Sequence, residues 1–349
     1  MATRKLTDEE KRKLYRDGFL ILRKAVPENM VENARRHLNV HMGAMRGQAM
    51  SAKKIDPVRQ NAVATVDGTN PVFTDLYNKS GLKALVTSVI GGPLPDAMGA
   101  QVASVYPGRH QDSINEAGYR DGDTPFHGWC GHLDGLWNGA GPVPAIERPM
   151  TRTEKRKWYQ DPARNGCSRS YEGTGMNITN FTALVGVALS DQRKEGVGNL
   201  GLLKGAHLKM GEFFRWQDAQ GGPLGPDGPG WPREHFEAPN GHGLRHYPDQ
   251  LRDAYQRSAE VTPDGRLWPK PTLMKLAPGD AVIVHFATPH SASRVDGPDP
   301  RHMIYFRVMS PDRPEDQRRS YSPALTDIWK EWKGMRRTVK EMASASHRD

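Results

Sequence analysis

Two cysteines, Cys130 and Cys167, are all that 349 residues contain, which leaves no basis for a disulfide framework or a thiolate metal centre. Long apolar runs are missing too. None approaches the ~18 residues that a membrane-spanning helix needs, so no membrane association is expected. Met1-Ala-Thr-Arg-Lys-Leu-Thr lacks an apolar h-region, so no secretory signal is expected either, and a reducing cytoplasmic compartment fits. Concentrated charge of one sign is also absent. The net charge is +9, but the basic runs Lys11-Arg12-Lys13 and Lys155-Arg156-Lys157 sit in stretches that read as solvated helix faces. This dispersed balance fits a small molecule, anionic ones included, better than nucleic acid, and none of the latter is expected.

What is present is a chain of two textures. The first, about residues 1–99, reads as helical. Thr7-x-x-Glu10 is a capping box and Gly18 a stop, giving a helix over about Asp8 to Arg16. Phe19 to Leu22 reads as a buried strand. Pro27 suits the first turn of a second helix with Val31, Ala34 and Leu38 on its apolar face, and a third runs from Ser80 to Gly91-Gly92. From about 100 to 310 short strands take over: Gln101–Tyr106, Asn180–Leu189, Asn199–Leu203, Leu273–Leu276, Ala281–Phe286 and His302–Val308. Pro278-Gly279-Asp280 is read as the hairpin turn between the fourth and fifth. Helices before and strands after indicate a single domain, mainly β with flanking α-helices, around an antiparallel barrel or jelly roll. Two stretches without clear period, 139–175 and 208–271, are read as insertions forming a mouth. A stripe of Leu325, Ile328, Trp329, Trp332 and Met335 predicts a C-terminal helix over about 323–342.

The chemistry-bearing residues lie near predicted strand ends. In an extended segment His132 and Asp134 point the same way, offering one nitrogen and one hard oxygen ligand. The strand from Ala281 delivers His290, completing the two-histidine, one-carboxylate set that holds Fe(II) and leaves three positions open. Arg301, eleven residues further on, offers a planar cation for the far carboxylate of a 2-oxoacid cosubstrate. A rival pair, His110-Gln111-Asp112, sits in a polar stretch, whereas Phe126, Trp129 and Trp137 flank His132 with aromatics. His132 and Asp134 are therefore preferred, and His235-Phe-Glu237 is weaker than both. His207 reads as a structural turn residue and His285 as an ordinary strand residue.

This arrangement resembles the phytanoyl-CoA dioxygenase family of Fe(II)/2-oxoglutarate-dependent oxygenases. The likeness extends to Leu6-Thr7-x-Glu9-Glu10 with Tyr15-x-Asp17-Gly18-Phe19-Leu20, and to Gly198-Asn199-Leu200 through Lys204-Gly205-Ala206-His207, similar to a "GPL…PGSH" strand and turn. It continues at Pro278-Gly279-Asp280 and ends near residue 308. The resemblance implies a double-stranded β-helix core with His132, Asp134 and His290 as metal ligands and catalytic centre. It also implies Fe(II), 2-oxoglutarate and O2 as cofactor and cosubstrates, with Arg301 on the cosubstrate carboxylate. The products would be succinate, CO2 and an oxidised, typically hydroxylated, small molecule. Asp134 speaks against halogenation, which needs a small residue there. Gly186 stands where the family often has Trp, and Ala292 where it often has Ser or Thr. Gln101 and Thr182 are the candidate additional cosubstrate contacts, and His127, Trp137 and Asn138 the candidate substrate contacts. The other readings of the chain are a ligand-binding barrel without turnover, or a nucleic-acid or protein demethylase of the same chemistry.

Overall fold

The computed structural model describes residues 4–46, 66–107, 114–115, 117–134, 181–221, 224–225, 228–231, 234–235, 238–239, 243–244, 246–315 and 321–345. Its first helix, α1 (Asp8–Asp17), starts where the capping box predicts. The Glu10 N–H donates to Thr7 Oγ1 at 3.2 Å and the Thr7 N–H returns to Glu10 Oε2 at 2.9 Å. Gly18 ends the helix in the left-handed conformation that only glycine takes without strain. The chain then forms β1 (Phe19–Leu22), α2 (Glu28–Arg46), α3 (Pro71–Asn78), α4 (Leu82–Ile90), β2 (Gln101–Val105), β3 (Ala183–Ala188), β4 (Leu200–Leu202) and α5 (Ala206–Ala219). It ends in β5 (Thr272–Leu273), β6 (Ala281–His285), β7 (His290–Ala292), β8 (Arg301–Val308) and α6 (Arg336–Ala345), with shorter turns and hairpins between.

Two antiparallel sheets carry the architecture. One has the order β1-β6-β3-β8-β2, the other β7-β4-β5. Strands β3 and β6 are buried at every residue because they lie centrally, with helices on one side and the second sheet on the other. Each Val, Ile or Leu so buried contributes about 1.5–3 kcal/mol. The register divides the faces. Arg301, Met303, Tyr305 and Arg307 alternate onto one side of β8, opposite Val105, Ala103 and Gln101 on β2 and Ala188, Gly186 and Leu184 on β3. The alternate residues face the helices, where Phe306 meets Tyr77 of α3 with ring centroids 5.3 Å apart.

Three expectations change. Pro278-Gly279-Asp280 does not close a hairpin, because β5 pairs with β4 while β6 pairs with β1 and β3. The turn instead carries the chain from one sheet to the other. Asp280 anchors it by accepting from Arg23, from the Lys24 N–H and from the Ala277 N–H. The stretch 208–271 is not all irregular, since α5 fills its start and buries Met210, Phe213, Phe214 and Gln217. The C-terminal stripe is buried as expected, but no single helix carries it. A short helix at Pro323–Thr326 and a 3₁₀ turn at Lys333–Met335 precede α6. Gly334 explains the break, since its backbone lies so close to α4 that a Cβ would fall 2.2 Å from Ser88 O. Residues 139–175 lie outside the described residues. No helix among the described residues is long and apolar enough to cross a membrane.

Candidate metal centre

Trp129 sets the segment that leads to His132. Its Nε1–H donates to Gly201 O at 3.0 Å, and its indole lies so flat on β4 that a Cβ at Gly201 would come within 2.5 Å. Trp129 and Leu133 are sunk in the main core. Cys130 faces the other way, against a small cluster containing Tyr119 and Trp268. His132 is joined to His290 by a reciprocal backbone pair: the His132 N–H donates to His290 O at 2.9 Å, and the His290 N–H to His132 O at 2.8 Å. His290 is thus the first residue of a new strand in the second sheet, not the end of β6 as the sequence suggests. His132-Leu133-Asp134 is a single bridge and a turn instead of a full strand.

The side chains converge. Asp134 Oδ1 lies 3.6 Å from His132 Nε2 and 3.8 Å from His290 Nε2. One ligand atom from each of the three residues lies within 4.8 Å of the others, the only such His/Cys/Asp/Glu group among the described residues. Both Oδ1 separations are shorter than twice a metal–ligand bond of about 2.1 Å, so one cation can span the set. The protonation states suit it. His290 Nδ1 lies 3.0 Å from Thr288 O, and a carbonyl only accepts, so Nδ1 carries a proton and Nε2 is the nitrogen turned to the site. Burial pushes the His132 imidazolium down to about 4, against the pull of the Asp134 carboxylate. Burial alone would raise the Asp134 carboxyl, but the two imidazoles and the Arg307 guanidinium outweigh it and hold it well below the usual carboxylate range. Two imidazole nitrogens and one carboxylate oxygen therefore face one point.

Arg301 starts β8 and is 2% exposed. Its Nη2 donates to the Tyr305 hydroxyl at 2.6 Å and its Nη1 makes a long contact to Ala103 O, while its buried Nε has no partner. No carboxylate among the described residues pairs with it. Burial, helped by this unneutralised charge, pushes the adjacent His302 down to about 4. The Tyr305 hydroxyl, held neutral by burial, donates its own hydrogen bond to Met303 Sδ at 3.3 Å. Gly186 makes room for this assembly, since a Cβ there would come 2.8 Å from both Tyr305 Cε1 and Met303 Cε.

The remaining candidates scatter. Gln101 is not placed on a ligand but on Arg307, accepting from Nη1 at 2.9 Å. Thr182 is a correction: its buried hydroxyl donates to Glu331 at 2.9 Å and accepts the Ser310 N–H at 2.9 Å, leaving no donor for a cosubstrate. His127 bonds through Nδ1 to Asp296 at 2.6 Å and takes part in fixing the 121–134 segment against the loop before β8. Trp137 and Asn138, the rival His110 and Asp112, and Glu237 of the third motif lie outside the described residues. His285 and His207 are buried core residues, their rings 5.2 Å apart. Two residues at the centre escape sequence reasoning. Arg307 donates to Asp134 through Nε at 3.0 Å. His246, buried, presents its ring edge to His132 at 6.3 Å. Alternation along β8 puts Arg307 on the face of Arg301 and was a usable signal for it. His246 sits in Gly/Pro-rich sequence with no period to betray it.

The fold is similar to those of several solved structures. AviO1 from Streptomyces viridochromogenes Tue57 matches with a TM-score of 0.43 and 12% identity, over 88% of this chain and 96% of that one. The non-heme alpha ketoglutarate dependent epimerase SnoN from nogalamycin biosynthesis matches with a TM-score of 0.41 and 16% identity, over 87% and 80%. HygX from Streptomyces hygroscopicus, with nickel and 2-oxoglutarate bound, matches with a TM-score of 0.42 and 16% identity, over 87% and 86%. No protein-family model and no curated protein matches the chain. The functional reading therefore rests on the site's own residues.

Proposed function

We propose that this protein is a non-haem Fe(II)- and 2-oxoglutarate-dependent oxygenase with a double-stranded β-helix core, acting on an unactivated C–H bond of a small molecule. The observation that carries this reading is the convergence of His132, Asp134 and His290 on one point, beside an Arg301 that is buried without a carboxylate partner among the described residues. Two imidazoles and one carboxylate suit Fe(II) and leave positions open for a cosubstrate. An uncompensated buried guanidinium is costly unless an anion joins it, and the distal carboxylate of 2-oxoglutarate is such an anion.

In this reading bound Fe(II), with 2-oxoglutarate and O2, supplies the oxidising chemistry and releases succinate and CO2. The chain's own residues do the rest. His132, Asp134 and His290 hold the ion, with the Thr288 carbonyl keeping the His290 ring in the ligating tautomer. Arg301, steadied by Tyr305, takes the far carboxylate of the cosubstrate. The basic balance of the chain fits an anionic substrate.

The test is direct. Under anaerobic conditions Fe(II) and 2-oxoglutarate together should give a visible absorbance band that neither gives alone, and O2 should then yield succinate. Arg301→Ala removes one partner of a desolvated ion pair, worth ~2–5 kcal/mol. It should raise the 2-oxoglutarate requirement by at least ~30-fold, at about 1.4 kcal/mol per tenfold. An unchanged requirement removes Arg301 from the site, and absence of the band in the unaltered protein removes the oxygenase reading.

A further inference from the structure

The two oxygens of Asp134 live in different surroundings. Oδ1 faces His132 Nε2 and His290 Nε2. Oδ2 accepts a hydrogen bond from Arg307 Nε at 3.0 Å, and the Arg307 Nη2 of the same guanidinium closes the ion pair at 2.9 Å. The guanidinium is itself held from a neighbouring strand, with Nη1 donating to Gln101 Oε1 at 2.9 Å. On its other flank lies the Phe181 ring, 5.9 Å from the guanidinium carbon to the centroid. Arg307 shares the face of β8 that carries Arg301, so strand register fixes where both cations stand.

We propose that Arg307 is a positioning residue that keeps Asp134 a one-oxygen ligand and so keeps the metal site open. The proposal rests on the metal reading above. A carboxylate with both oxygens free can grip a hard dication through either or both, and a two-oxygen grip uses a position the reaction needs. A charge-assisted hydrogen bond from Nε and the ion-pair contact of Nη2 occupy Oδ2, and turning the carboxylate to offer it would break both. A lysine could not do this. Its point charge cannot present two coplanar donors to one oxygen while a third holds Gln101. The same geometry explains why an exposed glutamine on β2 is tied to a residue that reaches the site. Gln101 sets the pitch of the guanidinium and, through it, of the carboxylate.

A merely structural Arg307–Asp134 ion pair and a ligand-positioning one differ in what their loss does to the metal. In Arg307→Met the freed Oδ2 joins the coordination sphere and a neighbouring positive charge disappears, so Co(II) should bind as tightly as before or more tightly. Its d–d absorption should change shape. Nitric oxide, a probe for the position O2 would use, should bind the Fe(II)–2-oxoglutarate form about tenfold or more weakly, the scale seen for loss of a ligand's outer partner. Gln101→Ala, which leaves the ion pair in place, should move the absorption and the nitric oxide affinity the same way by less. Circular dichroism confirms equal folded fraction. Unchanged absorption and nitric oxide binding in both variants would overturn the proposal. So would weakened Co(II) binding with an unaltered spectral shape, which marks simple structural damage. Failure of the unaltered protein to bind Co(II) near one equivalent would overturn the metal reading itself, and is thereby told apart.

Discussion

Two places in this molecule contain the same residue types and do different things with them. One holds His132, His290, Asp134 and Arg301. The other, in the core beneath the C-terminal segment, holds His207, His285, Glu331 and Arg313. In the second place the two charged groups are spent on each other. Arg313 gives Nε and Nη2 to the Glu331 carboxylate, which also accepts from Thr182. His285 donates through Nε2 to Ile328 O at 2.9 Å and accepts the Ala287 N–H at Nδ1, and His207 donates to Tyr15 O. Trp329 and Trp332 pack around the histidines. In the first place the carboxylate sits between imidazoles instead of on the buried arginine, and Arg301 is left with a hydroxyl. Residue type does not mark a site, then. What marks it is a buried charge that the described residues leave without a counter-ion.

That contrast can be broken most severely at the carboxylate. Asp134→Ala deletes one of three protein ligands and should abolish the absorbance given by Fe(II) with 2-oxoglutarate, while Asp112→Ala should leave it. The reverse pattern would move the centre to the rival motif. Next comes the exchange of arginines. Arg313→Met leaves Glu331 buried and unpaired and should lower the unfolding free energy by about 3–5 kcal/mol. Arg301→Met, in ligand-free protein, removes a buried charge that has no counter-ion and should leave the denaturation midpoint unchanged or higher. Equal losses in the two variants would erase the distinction drawn here.

A third effect concerns the core histidines and pH. Burial pushes His207 down to about 4 and drives His285 well below its ordinary value. Above about pH 6.5 both are neutral folded or unfolded, and contribute no pH dependence. As pH falls from about 6.5 towards 4, the unfolded chain takes up protons that the folded one refuses, so stability declines, then levels off for His207 below about 4. For His207 alone the loss is about 3 kcal/mol. Urea titrations of metal-free His207→Gln should show a shallower decline over that window, and an identical slope would count against a neutral buried His207. The smallest effect is Gly186→Ala. Its methyl pushes on Tyr305 and Met303, costing about 1–3 kcal/mol as overpacking. Titration should show weakened 2-oxoglutarate binding with Co(II) affinity unchanged.

How much of this was legible beforehand follows the same line. The helix signals at Thr7, Glu10 and Gly18 and the strand at Ala281–His285 are local, and local rules read them. The three residues that converge were picked out by type and spacing, and Arg301 by its place at a strand start. What could not be read was pairing between distant segments. Thr182 has a hydroxyl suited to a cosubstrate, yet Glu331, far along the chain, claims it. Pro278-Gly279-Asp280 looks like a hairpin turn because the sequence does not say to which sheet its flanks belong. Arg307 and His246 gain meaning only when β8 and the stretch between α5 and β5 that holds His246 are brought against His132 and Asp134.

The reciprocal backbone pair between His132 and His290 has one more consequence, for folding kinetics. Those residues belong to remote parts of the chain, so their ligating nitrogens cannot meet until the second sheet has closed. Loop closure on that scale is slow and comes before any reward from contact. Ion capture in a refolding experiment should therefore lag behind the formation of β-structure and serve as a clock for the last topological step.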